Sequence, residues 1–258
     1  MSTGPDPNRI GGIEWTRRTR GRLTRREQLQ LLGAIVNSQR DYFLNRLRGT
    51  RPRTRPGTMA RATDREIRPP DSRFAREAEA AAAEQSPVII GHSYRSWIFG
   101  RALADVDGVP VDDELLYAGC LLHDHGIAPV VPGEDFTVRS ARRAIECATS
   151  AQLDDQRATQ LADAITVHTT PGVSVERDGP LGYYIQTGAM VDIVGNRVWD
   201  LSARLVDDTL ARYDRSGFTR ELAAHFTAEA KAVGRGRFAL VRRCGFIPLM
   251  HMAPFDQK

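Results

Sequence analysis

From residue 86 almost to the C-terminus, apolar residues recur every three or four positions, and the runs are cut by breakers such as Gly108-Val109-Pro110, Pro132-Gly133 and Pro171-Gly172. Residues at that period fall on one face of a helix, and Gly and Pro punctuate the chain between such segments. No alternation of apolar and polar residues is long enough for a strand, and no internal repeat occurs, so the expected fold class is all-α. Helices are predicted over Pro87–Ala104, Asp112–His123, Ser140–Ser150, Asp154–Val167, Leu181–Val194, Leu201–Tyr213, Thr219–Val233 and Arg237–Cys244, after an alanine-rich helix over residues 73–85. Ser86 is placed to cap the first of these through its hydroxyl. Pro87 suits the first helical position, where its missing N–H costs nothing. Asp112 and Asp113 suit the positive end of the next helix.

The 258 residues suffice for a sizeable core, and 41% hydrophobic with 26% charged residues is an ordinary globular balance. No window reaches the ~18 apolar residues of a membrane span. The stretch Met1–Trp15, with Pro5, Pro7 and two adjacent glycines, has no apolar core of a signal peptide, so a cytoplasmic location is expected. Cys120, Cys147 and Cys244 are odd in number and lack the CxxC spacing of a zinc site, and read as buried free thiols.

The net charge of +4 conceals a division: residues 1–75 carry seventeen arginines against seven acids, leaving −6 on the rest. The first twenty or so residues read as unstructured. Thr24–Arg48 reads as a helix, with Leu29, Leu32, Ile35 and Val36 at helical spacing and Thr24 and Glu27 forming a capping box. Residues 50–72, rich in Arg and Pro, read as a linker. Two units are thus expected: a basic arm, 1–72, and a helical body, 73–258. The arm has two functional readings beside that of a solvated tail. It can make salt-sensitive contacts to nucleic-acid phosphates or an acidic surface, and its helix can pack on the body or form a homo-oligomer.

Polar residues able to do chemistry stand out against this apolar background: His92 in Gly91-His92-Ser93-Tyr94-Arg95, His123, Asp124 and His125 after Leu121-Leu122, His168 before Thr169-Thr170-Pro171, and Asp192 among Met190, Val191 and Ile193. Burying a carboxylate beside imidazoles costs several kcal/mol unless something satisfies it. A divalent cation does so, and imidazole with carboxylate suits Zn, Fe or a similar first-row ion. His225 and His251 read as structural, and Trp97, Phe99 and Trp199 as core.

The order His92, then His123-Asp124, then Asp192, within "GHSYRSWIFG", "LLYAGCLLHDHG", "ITVHTTPG" and "GAMVDIVG", resembles the HD-domain superfamily of metal-dependent phosphohydrolases, and most of all its cyanamide-hydratase-like branch. The resemblance covers roughly residues 86–200. It departs from the family at His125, where an apolar residue is usual; an extra ligand, a proton shuttle and a surface residue are all open there. The resemblance implies an HD-type helical bundle in which His92, His123, Asp124 and Asp192 hold a divalent metal, with Zn or Fe the expected ion. A water there drops in pKa toward ~7.

Asp124 would also orient that water. His168 would position substrate, donate a proton, bind a second metal, or simply cap its helix. Arg95, one turn after His92, would neutralise an anionic substrate or pair with a ligand carboxylate. The expected function is hydrolysis or hydration of a small molecule, as in a cyanamide or nitrile hydratase. The alternatives are a phosphohydrolase acting on a nucleotide or other phosphoester, and a non-catalytic protein with a structural metal and a binding arm. Phosphoester sites need several cations besides the metal. Within the four matched words only Arg95 is cationic, and nothing places the nearby Arg139, Arg142 and Arg143 at a site.

Overall fold

The computed structural model describes residue 6 and residues 8–49 and 67–255. Among these the chain is all-α, as expected: twelve helices, no strand, and one isolated bridge between Arg22 and Gly236. The helices are α1 (Ile13–Thr19), α2 (Arg25–Gly49), α3 (Arg73–Ala82), α4 (Pro87–Asp107), α5 (Asp113–Leu122), α6 (Phe136–Ser150), α7 (Asp155–Val167), α8 (Val175–Val194), α9 (Ala203–Arg212), α10 (Phe218–Ala232), α11 (Arg237–Arg243) and α12 (Phe246–Met250). Of the expected linker, residues 50–66 lie outside the described residues, and 67–72 carry no helix.

The caps act as expected. The Ser86 hydroxyl accepts from the Ile89 N–H at 3.3 Å and Asp112 accepts from Leu115 at 3.0 Å. Glu27 accepts from the Thr24 N–H at 2.7 Å while Thr24 accepts from the Glu27 N–H at 3.3 Å, which completes the capping box. Two boundaries differ. Helix α6 begins at Phe136 rather than Ser140, because Asp135 caps it through the Thr137 N–H. Helix α8 is interrupted at Gly179 (φ 72°), so its regular part starts at Pro180, near the predicted Leu181.

Helices α4 and α8 form the centre. They run antiparallel and touch backbone to backbone at two glycines. A Cβ on Gly188 would lie 2.1 Å from the Ser96 carbonyl oxygen, and one on Gly100 would lie 2.5 Å from that of Tyr184. One turn beyond this crossing the same register brings Asp192 against His92 and Arg95. From Leu115 to Leu122, helix α5 carries no charged residue and is buried on all sides. Its Leu115, Leu116, Leu121 and Leu122 each contribute ~1.5–3 kcal/mol by leaving water. That force carries the polar residues at its end, His123 and Asp124, into the interior.

Of the first twenty residues, which were expected to be unstructured, residues 8–20 are folded. Ile10, Ile13, Trp15 and Leu23 are buried, and Trp15 and Leu23 share a cluster with Leu31 and Ile35 of α2 and Leu240 of α11. Too few apolar residues lie there to show a period, so the sequence alone hides them. Polar bonds hold the segment down: Arg9 pairs with Asp178, the Ile13 N–H donates to Asp163 at 2.8 Å, and the Trp15 indole donates to Glu27 at 2.7 Å. Arg237, itself buried, donates to the Thr166 carbonyl, Thr170, Asp135 and Thr137 within 2.9 Å, and lies 5.8 Å from the Trp15 ring centre. Residues 8–49 therefore share a core with the body. Cys120 and Cys147 are buried free thiols as expected, whereas Cys244 is half-buried.

Beside this clasp, Glu229 accepts from the Phe136 N–H at 3.0 Å through one oxygen, and the other has no hydrogen-bond partner. Burial, and then the neighbouring Asp135, raise its pKa from 4.5 to about 7 against the opposing pull of Arg139 and Arg237. Between these values the folded protein holds a proton that the unfolded chain has lost, so stability falls as pH rises from about 4.5 to about 7 and then levels. Glu229→Gln removes this loss. Urea unfolding at about pH 5 and about pH 8 is expected to show the variant gaining on the parent at the higher pH, by up to about 3 kcal/mol.

Candidate metal centre

His92 stands on the second turn of α4, His123 and Asp124 follow the last turn of α5, and His168 follows the last turn of α7. All four are buried. His92, His123 and Asp124 form a cluster that could hold a metal ion, with one ligand atom from each lying within 4.8 Å of the others.

The hydrogen bonds fix which ring nitrogen carries hydrogen in the neutral imidazoles. His123 Nδ1 faces the Cys120 carbonyl at 2.7 Å, and His168 Nδ1 faces that of Ile165 at 2.6 Å. A carbonyl only accepts, so both Nδ1 atoms are N–H donors. His92 Nδ1 faces Asp192 Oδ2 at 2.6 Å. Burial pushes the Asp192 carboxyl up, but Arg95 and the His92 hydrogen bond outweigh it and hold it well below the usual carboxylate range. It is thus an acceptor too, and His92 donates to it.

In the neutral form of these rings all three Nε2 atoms are bare lone pairs, and they converge. His92 Nε2 and His123 Nε2 are 3.3 Å apart, and they lie 3.7 and 3.5 Å from Asp124 Oδ2. His168 Nε2 lies 3.6 Å from the other oxygen, Oδ1. Burial lowers the pKa of His123 to about 3, so it is neutral at ordinary pH. Burial also pushes Asp124 up, but positive charge taken up by the surrounding His123, His168 and His92 rings pulls its carboxyl well below the usual range. Acceptors packed together without a donor repel one another, and a cation between them removes the conflict. The spacings fit one: ligands ~2.1 Å from a tetrahedral ion are ~3.4 Å from each other.

Asp192 differs from its expected role. The structure does not bring it to this cluster: it sits across the His92 ring, bonded to Nδ1, while Nε2 faces the cluster. Its Oδ1 accepts from Arg95 Nε at 2.8 Å and Arg215 Nε at 3.2 Å, and its Oδ2 from Arg95 Nη2 at 2.9 Å. With its oxygens so engaged, Asp192 orients the ligand His92, as carboxylates behind metal-binding histidines do. Of the two roles expected for Arg95, pairing with a carboxylate is the one seen. Fully buried, it pairs with that carboxylate and donates to the carbonyls of Tyr213 and Asp214, out of reach of a substrate. His125 points elsewhere and bonds Glu84 at 3.0 Å. Arg139, Arg142 and Arg143 are engaged by Gly126 and Glu134, Glu134, and Glu84 respectively.

His123, Asp124 and His168 form the polar floor of a cavity of about 190 Å3. Ala189, Met190 and Ile193 of α8 and Phe226, Phe238 and Phe246 make apolar walls, and Ile35, Gln39 and Tyr42 of α2 also line it. Among the described residues no arginine or lysine lines it. Sequence reasoning missed α2 as a wall, and missed Arg215 and Phe218, whose ring stacks on His92 with centroids 4.8 Å apart. No periodicity or motif signals these; they meet the site only through the tertiary fold. The capping box was the one sign that α2 is firmly anchored.

No family model matches the chain, and no curated protein matches it. No helix among the described residues is long and apolar enough to cross a membrane.

Asp192→Asn leaves Arg95 and Arg215 without their shared counter-charge. Removing one partner of a buried ion pair costs about 3–5 kcal/mol, so the midpoint of chemical unfolding is expected to fall accordingly. A midpoint equal to the parent's would refute the bridging role of Asp192.

Proposed function

We propose that this protein is a metal-dependent enzyme of the HD-domain type that uses activated water on a small, neutral carbon–nitrogen compound, by hydration or hydrolysis, with a nitrile or cyanamide as the model substrate. The reading is supported by one juxtaposition: imidazole Nε2 atoms and a carboxylate converge at the floor of a small cavity that no arginine or lysine among the described residues lines. The order of His92, His123-Asp124 and Asp192 along the chain supports the HD-type assignment. The donor set suits Zn or Fe.

His92, His123 and Asp124 would hold the ion, which when bound supplies Lewis-acid activation of water. The remaining work falls to the chain. Asp192 holds His92 in the tautomer that leaves Nε2 free. Asp124 turns its second oxygen toward His168. His168 lines the cavity with Nε2 bare, the arrangement required to accept a proton from water and return it to a substrate nitrogen. The apolar walls exclude bulk water. The phosphoester alternative is less well supported, because Arg95, Arg139, Arg142 and Arg143 are all committed elsewhere and phosphate needs cations.

Elemental analysis of the parent beside His123→Ala/Asp124→Ala is the test of the metal. Near-stoichiometric first-row metal is expected in the parent and none in the folded variant. A screen of nitriles and cyanamide against phosphoesters should then show turnover of the former. His168→Ala should keep the metal and lose about 10²–10⁴ in kcat. A parent that takes up no metal after reconstitution, or one that turns over only phosphoesters, overturns the proposal.

A further inference from the structure

The cavity wall next to His168 carries two polar groups that the reaction scheme above leaves unused. Gln186, on α8, lines the cavity and is half-buried. Its Nε2 donates to the carbonyl of His168 at 2.5 Å and to that of Thr170 at 2.8 Å. An amide nitrogen has two hydrogens, and both are spent. The opposite amide orientation would set Oε1 against two carbonyl oxygens, so the assignment of oxygen and nitrogen is dictated by the partners. What remains is Oε1, a pure acceptor with no donor among the described residues. Beside it Thr169, also on the cavity wall, has a buried hydroxyl with no partner. A buried hydroxyl left without a partner costs free energy until something bonds it, and Thr169 directly follows His168, whose carbonyl Gln186 holds.

We propose that Gln186 Oε1 selects substrates bearing an N–H, accepting a hydrogen bond from an amino or amide nitrogen, with the Thr169 hydroxyl completing the contact. The preferred class is then small neutral compounds with at least one N–H, over isosteres that carry a methyl group in its place. This rests on the reading of the cavity as a substrate site. Because Gln186 also holds the His168 carbonyl, it is a positioning and specificity residue rather than a catalytic one.

The isosteric pair acetamide and acetone provides the test, since an amino group replaces a methyl of the same size. Each is titrated into the zinc-reconstituted full-length protein and followed by ligand-observed NMR. Acetamide is expected to bind at least about ten-fold more tightly, although water solvates it better. Gln186→Met, of similar length, should bring the two affinities to within about two-fold, and Thr169→Val should narrow the gap in part. Equal affinities in the parent overturn the inference whether or not either variant folds, and so does a preference that survives in folded Gln186→Met. The two proposals fail separately. A preference for acetamide without turnover of any nitrile or cyanamide counts against the proposed reaction alone, whereas turnover without the preference counts against Gln186 alone.

Discussion

Asp192 is a carboxylate in the centre of the protein, and most of the site hangs on its ionisation. Two guanidinium groups and an imidazole share it. A charge at that depth is tolerable only because its partners are in place before water leaves, so α4, α8 and the 213–215 turn must dock in one register. That register is the one the glycine crossing permits. Gly100 and Gly188 let the helix backbones meet, and the ionic contacts one turn away keep them from sliding. The same carboxylate determines which nitrogen of His92 is bare. Fold specificity and ligand chemistry thus follow from one charge.

Much of this arrangement was legible beforehand, for reasons that can be named. Helix ends could be read wherever a cap speaks for itself, as at Ser86-Pro87, Asp112 and Thr24-Glu27. His123 and Asp124 could be read because two titratable residues that follow an apolar run, Leu115 to Leu122, have nowhere to go but inward. Asp192 and Arg95 were found as residues, and their pairing was one of the expected alternatives, but Asp192 was given a ligand role. Helical spacing shows that Arg95 shares a face with His92; it cannot show that Asp192 lies behind the ring rather than in front of it. The roles of Trp15, Arg215, Gln186 and the cavity-facing side of α2 were invisible, since each is defined by a partner distant in sequence; the spacing that put Ile35 on a helix could not say what that helix faces.

The arginine excess of the N-terminal region also takes on a different meaning. Arg9 pairs with Asp178 in the mildly acidic body, and Arg46 donates to Tyr42 and to the Met252 carbonyl. Some of these charges fasten one part of the chain to another. Arg237 answers from the other end of the sequence, drawing the Trp15 region, the start of α6 and the end of α7 around a single guanidinium. Long-range polar contacts of this type contribute little each when exposed. Buried, they specify where a sparse apolar segment must lie.

The cavity divides its lining between distant strips of sequence. The residues that can grip an ion come from α4 and the end of α5, deep in the bundle and constrained on every side. Ile35, Gln39 and Tyr42 come from α2, a helix with solvent along its outer face. The width of the chamber and the polar groups on its floor are thus set by separate parts of the chain, and a change on α2 can reshape the one while the other stays as it is.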